Sequence, residues 1–384
     1  MSQTSPEGQA AEYSIRPYES GDADRFLSLY ETVWGTTKSR AWFDWRFAAN
    51  PRSDGIEMIV AEADGQLVGA EPLLPYRLRA GDEVLDAYQP VDWIVHPEYR
   101  RQGIFSAMTE SLLSSVGADA DLLFNFPNEQ LLPGIQKFDW QAIATATCRY
   151  RVQDPAAVAM REATGSRSTP SLFATAASPI VRGGLRMCDR FAPAHADVSI
   201  SRVRGVPVET VSERYDASVP PKLHVPRDRA YLEWRFANPR WETTTYVARR
   251  DGGVVTTAVV ASESVDGSQL VRVLDVQPMT EAVGDAEAFE AIVRAVVTDN
   301  PDASVLKAPT GLFPGVLRRS GFLRDDSFPL SRFSAATYHA VRPLDDAFEP
   351  AAASTDDGAG HRGDALDLTD PDDWLLALGD HDVA

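Results

Sequence analysis

Residues 40–52 read RAWFDWRFAANPR, and residues 229–240 read RAYLEWRFANPR. Arg40, Ala41, Trp45, Arg46, Phe47 and Ala48 recur as Arg229, Ala230, Trp234, Arg235, Phe236 and Ala237, and the Asn-Pro-Arg that follows recurs with one deletion. A second pair lies in the same order downstream. Leu131-Leu132-Pro133-Gly134-Ile135, followed by Trp140, is answered by Leu312-Phe313-Pro314-Gly315-Val316, followed by Phe322. Two ordered matches at one long spacing imply a duplicated unit, which confines the chain to folds that can be built twice. The 384 residues allow it, since a domain takes roughly 150.

In the first copy, 13–18 reads as a strand and 21–34 as a helix with Phe26, Leu27, Tyr30 and Val33 on one face. A second helix over 39–49 stops at Pro51. Strands over 56–63 and 66–80 meet at an Asp64-Gly65 turn, and a third runs from a Gly81-Asp82 turn through 91–96. A helix from Gly103 to Val116, a strand 121–127, a short helix near 129–138 and a closing strand 142–152 complete the copy. The second copy runs from a strand near 198–203 through strands 244–250, 253–262 and 269–276, a helix 285–298, and strands at 304–309 and 332–341. Each copy is an α/β domain with a mixed, mostly antiparallel central sheet flanked by helices.

The expected divisions are an N-terminus 1–12, a first domain 13–153, a linker 154–196 with a bracing helix near 171–191, a second domain 197–343 and an acidic tail 344–384. The apolar run Trp374-Leu375-Leu376-Ala377-Leu378 in that tail is suited to docking as a final strand.

Charge narrows the function classes. The net charge is −19, and the tail from 344 carries twelve acids against Arg362 alone. Only four of the 37 basic residues are lysines. An acidic surface repels phosphate backbones and anionic lipid, so neither nucleic acid nor membrane is an expected partner. The Asp-rich, Lys-poor composition resembles that of cytosolic proteins from salt-accumulating halophiles such as haloarchaea. No apolar run reaches the length of a membrane span and the first dozen residues lack a secretion signal, so a cytoplasmic location is expected. Cys148 and Cys188 are the only thiols, too few for a disulfide framework or a four-cysteine zinc site, and no metal is expected.

The most informative stretch is Val91-Asp92-Trp93-Ile94-Val95-His96-Pro97-Glu98-Tyr99-Arg100-Arg101-Gln102-Gly103-Ile104-Phe105. A strand ending at His96-Pro97 leads through a cationic turn to a glycine at the start of a helix. This arrangement aims free backbone N–H groups and the positive helix end at one place, which suits a pyrophosphate. Gly103 lets the anion reach backbone that a Cβ would shield.

Here the chain resembles the GCN5-related N-acetyltransferase (GNAT) superfamily, whose acetyl-CoA loop reads Arg/Gln-x-x-Gly-x-Gly/Ala after a strand ending Val-x-Pro. Val95 and Pro97 supply the strand end, and Arg100 and Gly103 the first two signature positions; Phe105 stands where the family has Gly or Ala. The resemblance implies two tandem GNAT-like domains. In the second, Val276-Gln277-Pro278 is followed by Met279 to Gly284 with no arginine, so its cofactor loop is lost.

The resemblance further implies that main-chain groups of Ile94 and Val95 pair with the pantetheine arm of acetyl-CoA. Amides from Arg101 through Gln102, Gly103, Ile104 and Phe105 to Ser106 would hold the pyrophosphate, with the Arg100 and Arg101 side chains adding charge. Acetyl transfer to an amine needs a base, an oxyanion donor and an acid for the departing thiolate. Family members often draw the base from the strand before the loop. That makes Asp92 the first candidate, with strand alternation putting Asp92, Ile94 and His96 on one face, and Glu71 on the adjacent strand the second.

The family acid is a tyrosine in Asn-x-x-Ala-x-x-x-Tyr. Asn128 matches the first position, but Leu131 and Ile135 stand at the other two. Tyr99, Tyr88, water or the Ala384 carboxylate are the substitutes. Trp45 and Trp234, with their arginines, occur in both copies and are therefore read as fold residues. The expected function is an acetyl-CoA-dependent N-acetyltransferase acting on a small-molecule or protein amine. The rivals are an acyl-CoA-binding regulatory pseudoenzyme and a Fem-like aminoacyltransferase that uses charged tRNA.

Overall fold

The computed structural model describes residues 12–116, 120–155, 172–191, 193, 195–265, 267–281, 283–332, 335–344 and 366–381. The expected N-terminal segment before 12, the linker residues 156–171, most of the acidic tail, and Ala384 lie outside them. The chain is an α/β protein with two mixed, mostly antiparallel sheets flanked by helices. Its contacts divide it into two compact units: 1–77 with 85–125 and 342–348, and 78–84 with 126–341 and 349–384. Residues 126–153, expected in the first domain, therefore fall with the second unit.

In the first unit β1 (Ser14–Pro17), β2 (Met58–Ala63), β3 (Gln66–Ala80), β4 (Glu83–Pro90) and β6 (Leu122–Asn125) are neighbours in that order, and the short β5 (Ile94–Val95) pairs with β3. Asp64 and Gly65 take φ of 51° and 74°, the paired left-handed residues of a tight hairpin turn. Helix α1 (Ala23–Trp34) buries Ala23, Phe26, Leu29 and Tyr30. Leu29 replaces Leu27 and Val33 of the expected stripe; those two stay half-buried. Helix α2 (Arg40–Phe43) starts where the Ser39 side chain accepts the Trp42 amide, and it runs on as a wider turn over 44–48. Phe26, Phe43 and Phe47 meet at ring-centre distances of 5.1–5.6 Å.

Helix α3 (Ile104–Val116) lies directly on the sheet. A Cβ at Gly69 in β3 would stand 2.9 Å from the Met108 sulfur, so the glycine makes room for the end of that side chain.

The second unit holds a seven-stranded sheet in the order β14 (Leu323–Arg324), β8 (Cys148–Val152), β13 (Ala303–Pro309), β12 (Ser268–Gln277), β11 (Gly253–Val265), β10 (Glu242–Arg250) and β9 (Val198–Arg204). The remaining helices are α4 (Leu132–Ile135), α5 (Leu172–Phe191), α6 (Val208–Asp216), α7 (Arg229–Arg235), α8 (Val283–Asp299) and α9 (Pro314–Arg319). Asp251-Gly252 repeats the hairpin geometry of Asp64-Gly65, at φ of 51° and 83°. The core packs Phe289, Ile292, Val293 and Val296 of α8 against Val260, Val271, Val273 and Leu306 of the sheet.

Two strands depart from the expected course. The closing strand read over 142–152 is interrupted: β7 (Gln141–Thr145) ends, and β8 enters the seven-stranded sheet beside β13, with Tyr150 opposite Lys307. The strand read at 332–341 is β15 (Tyr338–Pro343), and it pairs with β7, with Tyr338 opposite Thr145. Local pattern marks a segment as a strand but does not choose its partner.

The C-terminal apolar run docks, though not as a strand. Its one sheet-like contact is a bridge from Trp374 to Leu223, and the segment is anchored through Asp380. Asp380, Asp275 and Arg227 are all buried, and the Arg227 guanidinium lies 2.8 Å from both carboxylates. Tyr231 donates to Asp380 at 2.7 Å, and Arg235 donates to the carbonyls of Gly379 and His381. A buried cation between two carboxylates and a phenol is compensated on each side.

Candidate active site

The loop expected to grip an anion is built as the sequence implies. After β5 the chain makes one tight turn over Pro97–Tyr99, then places Arg101 at φ 64° and Gly103 at φ 87° before α3 begins. Among the described residues, no backbone acceptor takes the amides of Arg101, Gln102, Gly103, Ile104 or Ser106, and Ala107 donates to Gly103 O as the helix begins. These N–H groups lie at the positive end of a 13-residue helix, where an anion would be favoured. At Gly103 an added side chain would adopt an unfavourable φ, and its Cβ would sit 3.4 Å from the Tyr13 hydroxyl.

Side chains around this loop are partly committed elsewhere. Arg100 and Arg101 are exposed, and Arg100 Nε donates to the Val95 carbonyl at 3.1 Å. Gln102 Nε2 donates to Glu98 O, whereas its Oε1 is buried with no partner. Ile104 is buried, while Phe105 and Ser106 are half-buried. Phe105, the bulky departure from the signature, turns its ring onto Trp93 at 5.7 Å, edge to face.

Beside the loop the sheet opens. β4 and β6 pair in parallel only at Ala87–Leu122 and Tyr88–Leu123, and β5 has β3 as its only strand partner among the described residues. Ile94 and Val95 therefore stand opposite Ala70 and Gly69 along one edge, with no strand on the other. Asn125, which ends β6, is buried, and its Oδ1 has no hydrogen-bond partner. Sequence reasoning passed over Asn125, because an asparagine at a strand end carries no signal of its own.

The catalytic candidates are placed differently from expectation. Asp92 lies on no strand: β4 stops at Pro90, and Asp92 takes φ 50° in the break before β5. The alternation that would align Asp92 with Ile94 and His96 is therefore lost. Arg46 Nε donates to Asp92 Oδ2 at 2.6 Å, with side-chain exposures of 1% and 8%. Glu71 is fully buried in β3; its Oε1 meets the Thr109 hydroxyl at 3.0 Å and its Oε2 meets no partner. Burial raises its pKa well above the usual glutamate range, against a smaller lowering by Thr109.

Tyr99 is half-buried, with its ring 5.6 Å from His96. Asn128 lies in the second unit, exposed, where its Oδ1 accepts the amides of Gln130 and Leu131 as a local cap. Ile135, at the position of the family tyrosine, is buried.

An amide-lined helix start next to a parted sheet is the arrangement the resemblance implies. Residues 14–143 match the acetyltransferase (GNAT) domain family. Residues 14–143 are thus similar to a GNAT domain. Three solved structures are similar over most of the chain, and at these identities the likeness is one of fold. A probable N-acyltransferase from Enterococcus faecalis V583 aligns at 10% identity and TM-score 0.59, covering 87% of this chain and 73% of its own. A GCN5-related N-acetyltransferase from Anabaena variabilis aligns at 11% and 0.57 with the same coverages. Another from Kribbella flavida aligns at 14% and 0.50, covering 88% and 72%. No curated protein matches the chain. GNAT domains generally use acetyl-CoA. Among the described residues, no group of three His, Cys, Asp or Glu side chains is placed to hold a metal ion, and no helix is long and apolar enough to cross a membrane.

Proposed function

We propose that the GNAT domain binds acetyl-CoA and transfers its acetyl group to an amine by direct attack in a ternary complex. The second unit then serves as an accessory GNAT-like domain. The observation that carries this reading is the coincidence of the amides of Arg101, Gln102, Gly103, Ile104 and Ser106, which meet no backbone acceptor among the described residues, with a strand edge at Ile94–Val95 that no strand covers. The amides and the Arg101 guanidinium would hold the pyrophosphate. The carbonyl and amide groups of Ile94 and Val95, with Asn125 Oδ1, would hold the pantetheine arm, once Arg100 swings off Val95 O to join the anion. When bound, acetyl-CoA supplies the acetyl group as an activated thioester.

The two carboxylates are poor bases as they stand. Asp92 would have to give up a buried guanidinium to accept a proton. Glu71 is fully buried, where its neutral form is favoured, and its Oε1 is engaged by the Thr109 hydroxyl. We therefore assign Asp92 to positioning, Tyr99 to returning a proton to the departing sulfur, and loss of the amine proton to water. Transfer should then rise with pH until the acceptor amine itself is neutral.

The test is thiol release from acetyl-CoA across a panel of amines of different pKa. Release that requires an added amine, with a pH midpoint tracking that amine, supports the proposal. Saturable CoA binding with no amine-dependent release would instead indicate a binding protein, a reading that the buried Ile135 at the tyrosine position favours.

A further inference from the structure

The second unit contains a buried arginine with no acid beside it. Arg149 in β8 exposes 9% of its surface, and its Nε is buried without a hydrogen-bond partner. The other buried arginines are matched: Arg46 by Asp92, Arg151 by Asp189 and the Ser320 carbonyl, Arg227 by Asp275 and Asp380, Arg235 by two carbonyls, and Arg272 by Glu263.

Arg149 instead faces cations. The antiparallel register sets Arg324 directly opposite it, and directly opposed residues share one side of a sheet. Arg318 stands in the last turn of α9, and its charge also acts on Arg149. Burial first, and then the charges of Arg324 and Arg318, lower the pKa of Arg149 from the usual arginine value, with Asp326 opposing.

The nearby acids are already engaged. Asp326 is held by Arg324 through contacts of 2.9 and 2.5 Å, and both Asp325 oxygens lie 3.1 Å from the Cys148 amide. The carboxylates of Asp325 and Asp326 offset two of these three guanidinium charges and leave about one in excess, in a chain with 56 acidic residues against 37 basic ones. Like charges set opposite each other on a sheet are destabilising unless something sits between them. Guanidinium forks match a tetrahedral oxyanion, and a bound phosphate or sulfate would set negative charge against this excess.

We propose that Arg149, Arg318 and Arg324 form a binding site for a phosphate or sulfate group at the β8–β14 edge of the second unit. This site is separate from the loop that starts α3 and goes beyond the acetyltransferase reading.

The test is calorimetric titration of the full chain with inorganic phosphate, and separately with sulfate, at matched ionic strength in chloride. It is done both in wild type and in Gly103→Glu, so that anion binding at the first unit's loop is not counted. The expected result is a saturable event that persists in Gly103→Glu and weakens at least tenfold in Arg149→Met. Arg149→Lys, which keeps the charge without the fork, should fall between. In chloride alone Arg149→Met should melt no lower than wild type, since an uncompensated buried charge has been removed. If Arg149→Met does not fold, Arg324→Gln, at a side chain 42% exposed, carries the test and should weaken binding several-fold. Absence of saturable binding in Gly103→Glu, or equal affinity in wild type and these variants, would overturn the proposal.

Discussion

Arg46 and Asp92 form a buried ion pair at 2.6 Å that joins the turn after α2 to the break between β4 and β5. Asp92 is held there at φ 50°, a conformation that costs a non-glycine residue free energy and persists only when its surroundings enforce it. The pair thus keeps β5 apart as a separate two-residue strand, leaving its outer edge open. Asp92→Asn, which strands the guanidinium, should cost about 3–5 kcal/mol in urea unfolding. It should also weaken CoA binding, because the break is no longer pinned. Wild-type stability together with wild-type affinity in this variant would remove the pinning role.

Glu71 makes the protein more sensitive to alkali than an ordinary glutamate would. Burial raises its native pKa, so the folded chain holds a proton there that the unfolded chain releases. Its contribution is complete below the ordinary glutamate pKa and is lost as pH rises through the raised native value. Glu71→Gln is permanently neutral. Urea unfolding at pH 5.5, 7 and 8.5 should show the variant gaining on wild type as pH rises; a difference independent of pH would mean that Glu71 does not titrate in this range.

His339 has the opposite sign. Burial, and then the charge of His381, lower its pKa to about 3, and its Nε2 is buried without a partner. The unfolded chain therefore takes up a proton near pH 6.5 that the folded chain refuses until far lower. Stability from this group is present above that pH and is lost on acidification. His339→Phe keeps a ring against Phe126 and Trp374 and removes the titration. Relative to wild type it should gain about 2 kcal/mol on going from pH 8 to pH 5. Parallel stability curves for the two proteins across that range would contradict the assignment.

Much of this architecture is legible in local sequence because short-range chemistry dictates it. Asp-Gly pairs between alternating runs give the two hairpins, Ser39 starts α2, and Gly103 after Val95-x-Pro97 marks the turn into α3. What stays hidden depends on partners distant in sequence. Nothing within 148–152 says that β8 will sit beside β13 rather than continue from β7. Arg46 and Asp92 are 46 positions apart, and recurrence of the arginine as Arg235 points to the fold alone. In the second unit Arg235 holds the carbonyls of Gly379 and His381, so one recurring side chain performs two different tasks. The arginine excess around Arg149 is equally silent in sequence, since Arg324 comes to stand opposite it only through the pairing of β14 with β8.

The most direct measurement is calorimetric titration of CoA into the full chain and into Gly103→Glu, with thermal unfolding of both as a control on folding. Wild type should bind CoA at one site. Gly103→Glu should unfold at nearly the same temperature but bind at least about a hundredfold more weakly, a loss of about 2.7 kcal/mol. No binding by wild type, or equal binding by the two, would show that the amides from Arg101 to Ser106 do not hold the pyrophosphate.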